Sequence, residues 1–171
     1  MGMNDDVFVP WGCLRLNEVE NRRYFLGPLD NVTIPKNCVH RVKNLSKKHP
    51  ATFHVAIPTT QVEGNWIKNE YDQFIDIPED FNGHMGSERV THYKTSRSYS
   101  VGPNTDFIDY FNEILMPGIG MSGSYGLFNP NGRSRAHLHD FDESIYIIEG
   151  EATCFVEGCL YHMSNGDAAM Q

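Results

Sequence analysis

Short runs of β-branched, aromatic and other apolar residues are cut at close intervals by Gly, Pro, Asn and Asp along most of this 171-residue chain. That punctuation leaves little room for helices and points to an all-β sandwich or barrel. The strands it predicts are Cys13–Leu16, Arg23–Leu26, Val32–Ile34, His40–Val42 and Ala51–Ile57, and, later in the chain, Ser124–Phe128, Ala136–His139, Ser144–Ile148, Ala152–Val156 and Leu160–Met163. Residues 61–82 read as a polar and aromatic excursion in which "QFIDIPEDF" can pair along a sheet edge. One segment breaks the pattern. In "NTDFIDYFNEILMPG", residues 104–118, Phe107, Tyr110, Phe111 and Ile114 fall at i, i+3, i+4 and i+7 behind Asn104 or Thr105 as a cap, which predicts the chain's one helix. No repeat of short period and no low-complexity tract is visible.

The length suits one domain of ordinary size. The formal charge is −8, and the lysines and arginines are scattered, so nucleic acid and anionic membrane surfaces are not expected partners. No apolar run reaches membrane-spanning length. The N-terminus, "MGMNDDVFVPWG", is acidic and lacks the long apolar segment of a secretory signal. The four cysteines, Cys13, Cys38, Cys154 and Cys159, include no CxxC pair. Reduced thiols and a cytoplasmic location are the expectation.

The chemistry concentrates in "GRSRAHLHDFDESIYIIEG", residues 132–150. Side chains two apart on a strand share a face, so His137, His139 and Glu143 would stand together above Ile145 and Ile147. Two imidazoles and a carboxylate suit iron, manganese, nickel, cobalt or zinc, and leave coordination positions open for water or substrate. A solvated strand that happens to hold two histidines is the plainer reading.

The stretch resembles the first signature of the cupin superfamily, G-x5-H-x-H-x3,4-E-x6-G, through Gly132, His137, His139, Glu143 and Gly150; the first gap is one residue short. The resemblance implies a jelly-roll β-barrel whose two His and one Glu bind a metal inside it. A degenerate version of the second cupin signature, G-x5-P-x-G-x2-H-x3-N, lies upstream at 26–44. Pro35, His40 and Asn44 match it, with Leu29 and Asn37 where the two glycines belong. The resemblance makes His40 the fourth metal ligand; an ordinary strand histidine is the alternative. Asn tolerates the left-handed backbone such a turn needs, and Leu does so less readily.

The two signatures stand in inverted order. Residues 1–60 resemble the terminal strands of a cupin barrel, 119–171 resemble the first strands of another, and 61–118 form the excursion between them. Permutation within one chain or exchange between two chains of a homodimer would rebuild a four-ligand site; otherwise the site is part of a longer two-cupin protein. The expected function is a metal-dependent enzyme acting on a small molecule, first of all by dioxygenase-type oxidation. Glu143 would serve as ligand or base. An oxygen-independent isomerase or lyase, or a non-catalytic ligand-binding or sensor protein, are the alternatives. Phe141, Tyr146, Phe155 and Tyr161 are candidates for pocket lining or core, Arg133 and Arg135 for a substrate carboxylate or for surface solvation, and Cys154 for the core. His49, His84, His92 and His162 receive no role.

Overall fold

A computed structural model describes residues 5–8, 15–59, 64–67 and 71–170. These residues form an almost purely β structure with one short 3-10 turn, Tyr93–Thr95, and no α-helix. The chain divides into two compact units, Met1–Ser134 and Arg135–Gln171. Among the described residues no helix is long and apolar enough to cross a membrane.

The first unit carries β1 (Asp5–Phe8), β2 (Arg15–Val19), β3 (Arg22–Leu26), β4 (Asn31–Ile34), β5 (His40–Asn44), β6 (His54–Ala56), β7 (Ile75–Asp76), β8 (Gly83–His84), β9 (Arg89–Thr91), β10 (Thr105–Phe111) and β11 (Gly123–Phe128). They assemble as a five-stranded sheet in the order β6-β1-β4-β9-β8, a four-stranded sheet in the order β5-β2-β3-β7, and the hairpin β10-β11. Among the described residues the pairings leave the sheets open rather than closed into a barrel.

One core lies between the two larger sheets. Val19, Tyr24 and Leu26 of the four-stranded sheet meet Val32, Ile34 and Val90 of the five-stranded one, with Ile77 beside them. Each such side chain contributes about 1.5–3 kcal/mol by leaving water. A second core gathers Ile108, Tyr110, Phe111, Met116 and Ile119 around the hairpin. It meets the five-stranded sheet where the Thr91 hydroxyl donates to Tyr110 O at 3.4 Å. The edge pairing expected within "QFIDIPEDF" is present: β7 lies parallel to β3, with Ile75 opposite Arg22, at the margin of its sheet.

The helix expected over 104–118 does not form. Its first half is strand β10, paired antiparallel with β11. Of the two candidate caps, Asn104 has φ 56° instead of the extended backbone a cap requires, and Thr105 is the first residue of β10. Ile114, the last member of the helical stripe, is 90% exposed. Ile108 and Tyr110 are buried while Phe107 and Asp109, on the other parity, are half-buried, which is a period of two. Aromatic residues favour that pleated surface, and β11 offers glycines beneath the rings. The Phe107 ring lies where a Cβ on Gly126 would sit, and the Phe111 ring does the same at Gly123. Beyond the strand, the Asn112 side chain accepts from Ile114 N and Leu115 N and turns the chain.

The second unit contains β12 (Ser144–Tyr146), β13 (Glu151–Val156), β14 (Cys159–Ser164) and β15 (Ala168–Met170), joined as the pairs β12-β15 and β13-β14. The strand expected at Ala136–His139 makes no ladder among the described residues. The unit reproduces β1–β4 of the first at an offset of 137 or 138 residues. Val19↔Arg22 recurs as Val156↔Cys159, and Val7↔Val32 recurs as Ile145↔Ala169. Left-handed Glu20 (φ 53°) recurs as Glu157 (φ 48°), and Leu29 (φ 66°) as Gly166 (φ 92°). The Asp30 carboxylate accepts from Gly27 N at 2.8 Å, and the Asp167 carboxylate accepts from Ser164 N at the same distance. The two modules share little residue identity, and the similarity lies in turn geometry and register.

Leu29 and Asn37, the two residues standing at glycine positions of the degenerate signature, both have left-handed backbone, at φ 66° and 68°. Gly27-Pro28-Leu29-Asp30 is a turn closed by Asp30 N on Gly27 O, with Pro second and a positive φ third, the type that favours Gly at that third place. Leu29→Gly should therefore leave stability unchanged or raise it by up to about 1 kcal/mol, because a strain of about 1–2 kcal/mol is released against the greater freedom of glycine in the unfolded chain. Leu29→Val, β-branched, should lower the urea midpoint.

Candidate metal centre

The segment before β12 brings His137, His139 and Glu143 together without a strand to carry them. Bends at Asp140 and Phe141 turn the chain between the second histidine and the carboxylate. Backbone carbonyls then fix the rings. His137 Nδ1 donates to Arg135 O at 2.8 Å, and His139 Nδ1 donates to Phe141 O at 2.6 Å. A nitrogen facing a carbonyl oxygen must carry the proton, so in both neutral rings Nε2 holds the lone pair. The Phe141 ring stacks on His139 at 4.1 Å between centroids and 3° between planes. The His137 and His139 centroids are 5.8 Å apart.

One donor atom from each of His137, His139 and Glu143 lies within 4.8 Å of the others. His139 Nε2 is 3.5 Å from a Glu143 carboxylate oxygen. Donors about 2.0–2.2 Å from a shared ion stand roughly 3–3.5 Å apart, so a small contraction would seat a metal. The donor set fits: two neutral imidazole nitrogens, each ring held by a carbonyl on its far side, and one carboxylate. The side chains of His139 and Glu143 keep 20% and 40% of their exposure, and His137 is exposed, so further coordination positions open to solvent.

The remaining candidates fall differently. His40 lies on β5 of the first unit, opposite Val19 and exposed, with its Nδ1 2.9 Å from Cys38 O. Phe141, Tyr146, Phe155 and Tyr161, candidates for pocket lining or core, are between 40% and 71% exposed, so none of them is a core residue. Arg133 and Arg135 are exposed. Cys154 is half-buried on β13 opposite Tyr161. Cys38, Cys154 and Cys159 are free thiols, and Cys13 lies outside the described residues. His54 is a strand residue of β6, as its surroundings predict.

Two buried polar groups of the first unit carried no sequence signal. His92 Nδ1 lies 2.8 Å from Asp30 Oδ2, while Asp30 also accepts from Gly27 N and Tyr93 N. Glu88, with no exposed side-chain area, accepts from the Arg22 guanidinium and the Tyr24 hydroxyl. Burial raises the Glu88 carboxyl pKa, but the hydrogen bonds from Arg22 and Tyr24 outweigh it and hold the group below its ordinary value. Both groups link residues more than 60 positions apart, a pairing that periodicity does not show. The chain matches no family model, and comparison with curated proteins and with solved structures found no match.

Proposed function

We propose that this chain is a metal-dependent protein of the cupin type that acts on a small molecule, with dioxygenase-type oxidation as the reaction. The observation that carries the reading is the convergence of His137, His139 and Glu143 within 4.8 Å, each imidazole presenting Nε2. A second observation supports the cupin resemblance: the left-handed backbone at Leu29 and Asn37, the two glycine positions of the degenerate signature. The jelly roll belongs to this proposal.

In this reading His137, His139 and Glu143 hold a divalent ion, and the open positions admit substrate. A bound Fe(II) would supply redox chemistry with oxygen. Glu143, with 40% of its side chain exposed, can hold the metal through one carboxylate oxygen and accept a substrate proton on the other. Phe141 keeps the His139 ring in place by stacking. His40 is the fourth ligand of the proposal. Its substitution by alanine should weaken metal binding without abolishing it, which equilibrium dialysis measures.

Metal analysis of the purified protein, followed by oxygen-uptake measurements on the iron-loaded form with a panel of small carboxylic and phenolic compounds, tests the function. About one equivalent of a first-row metal and substrate-dependent oxygen uptake are expected. Metal-dependent turnover without oxygen uptake would replace oxidation by isomerase or lyase chemistry. A protein that takes up no divalent metal would end the reading.

A further inference from the structure

The repeated module shows what one of its copies lacks. In the first copy the face made by Asn17, Val19, Tyr24, Leu26 and Val32 is at most 1% exposed. Its cover includes Val42 on β5 and Val55 on β6. β5 lies antiparallel on β2 with His40 opposite Val19 and Val42 opposite Asn17, and β6 lies antiparallel on β1. In the second copy the corresponding residues are Cys154, Val156, Tyr161, Met163 and Ala169. Tyr161, the counterpart of buried Tyr24, is 52% exposed. β13, the counterpart of β2, pairs only with β14 among the described residues, so its other edge is open.

Charge indicates what fits there. Residues 135–171 hold one arginine, no lysine and seven acidic residues. Glu151, the first residue of β13, and Glu157, in the turn just after it, are both exposed. The segment that covers the first copy is the opposite: residues 36–48, through β5, contain five lysines and arginines and no acidic residue.

We propose that the open edge of β13, with the half-covered apolar face beside it, is a docking surface for an extended basic strand with alternating apolar residues, the chemistry of β5 and its flanks. The partner adds an antiparallel strand to β13 by main-chain hydrogen bonds, sets valine-like side chains against Cys154 and Tyr161, and places its cations toward Glu151 and Glu157. This inference does not rest on the metal reading.

A fluorescent synthetic peptide with the sequence of residues 35–50, Cys38 replaced by Ser, is titrated with the full chain in the presence of a chelator. Saturable one-to-one binding is expected, weakened several-fold between about 50 and 300 mM salt as exposed charges are screened. E151K/E157K should weaken binding about 10-fold. A peptide of the same composition in scrambled order should bind at least 10-fold more weakly. Absence of saturation at millimolar peptide would overturn the proposal, as would equal binding of the scrambled peptide or crosslinks that map to the first unit. A stable dimer that binds no peptide would also overturn it, by showing a second copy on the surface.

Discussion

Replacing His137 or His139 with alanine should weaken metal binding by about 100-fold or more, and should leave the purified protein with little bound ion. Loss of outer-shell partners alone costs about 10–100-fold in metal affinity, and each of these substitutions removes a nitrogen of the proposed site directly. The site has few ligands to spare, because the converging set is two nitrogens and one carboxylate. Glu143→Gln should also lose metal, since the neutral amide gives up the charge that the ion offsets. Phe141→Ala should do less, within about 10-fold, because the His139 Nδ1 bond goes to the Phe141 carbonyl, which alanine retains, and only the stacked ring is lost. His162→Ala is the control. That histidine lies on β14 with Nδ1 3.2 Å from the Thr153 hydroxyl, and it is outside the three-donor group. Stoichiometric metal in both single histidine variants would show that the convergence is not a binding site.

The three-donor group was legible in the sequence because its order alone brings the donors close: His137 and His139 are two apart and Glu143 follows four later. The means was not legible. Strand parity predicted a shared face, yet the chain there is unpaired, and carbonyls of Arg135 and Phe141 orient the rings. Every residue has such a carbonyl, so sequence cannot mark it. The all-β class was legible from punctuation by turn residues, and most expected strands formed within one or two positions. The stretch 105–111 was misread because Phe107, Tyr110 and Phe111 satisfy a helical stripe and also an aromatic strand; the partner strand β11 decides between them. The module repeat escaped because it spans an offset of 137 residues and lives in φ angles and pairing register. Leu29 and Gly166 occupy the same left-handed place with unrelated side chains.

Replacing Glu88 with alanine should destabilise the first unit by about 3 kcal/mol or more. Removing one member of a buried ion pair leaves its partner's charge without compensation, at a cost of about 3–5 kcal/mol. Arg22 keeps 18% of its side-chain exposure, so water can reach it in part and the lower end of that range applies. The Tyr24 hydroxyl, within a side chain 1% exposed, loses its acceptor as well. Glu88→Gln keeps the shape and an acceptor oxygen but loses the charge, and should fall between. The same group sets a pH dependence. Because the folded-state pKa of Glu88 is depressed, its contribution is present above the ordinary carboxylate value of 4.5 and is lost as pH falls below it through the folded value. Tyr24 works in the opposite sense. Burial first, and then Glu88, push its hydroxyl above the ordinary value of 10, so its contribution is complete below pH 10 and is lost as pH rises through the folded value. Urea unfolding of wild type and of Glu88→Gln from pH 3 to pH 7 checks the acid limb. The gap between the two proteins should be full at pH 7 and should narrow below about pH 4.5. A gap that stays constant across that range would show that the Glu88 charge does not stabilise the fold.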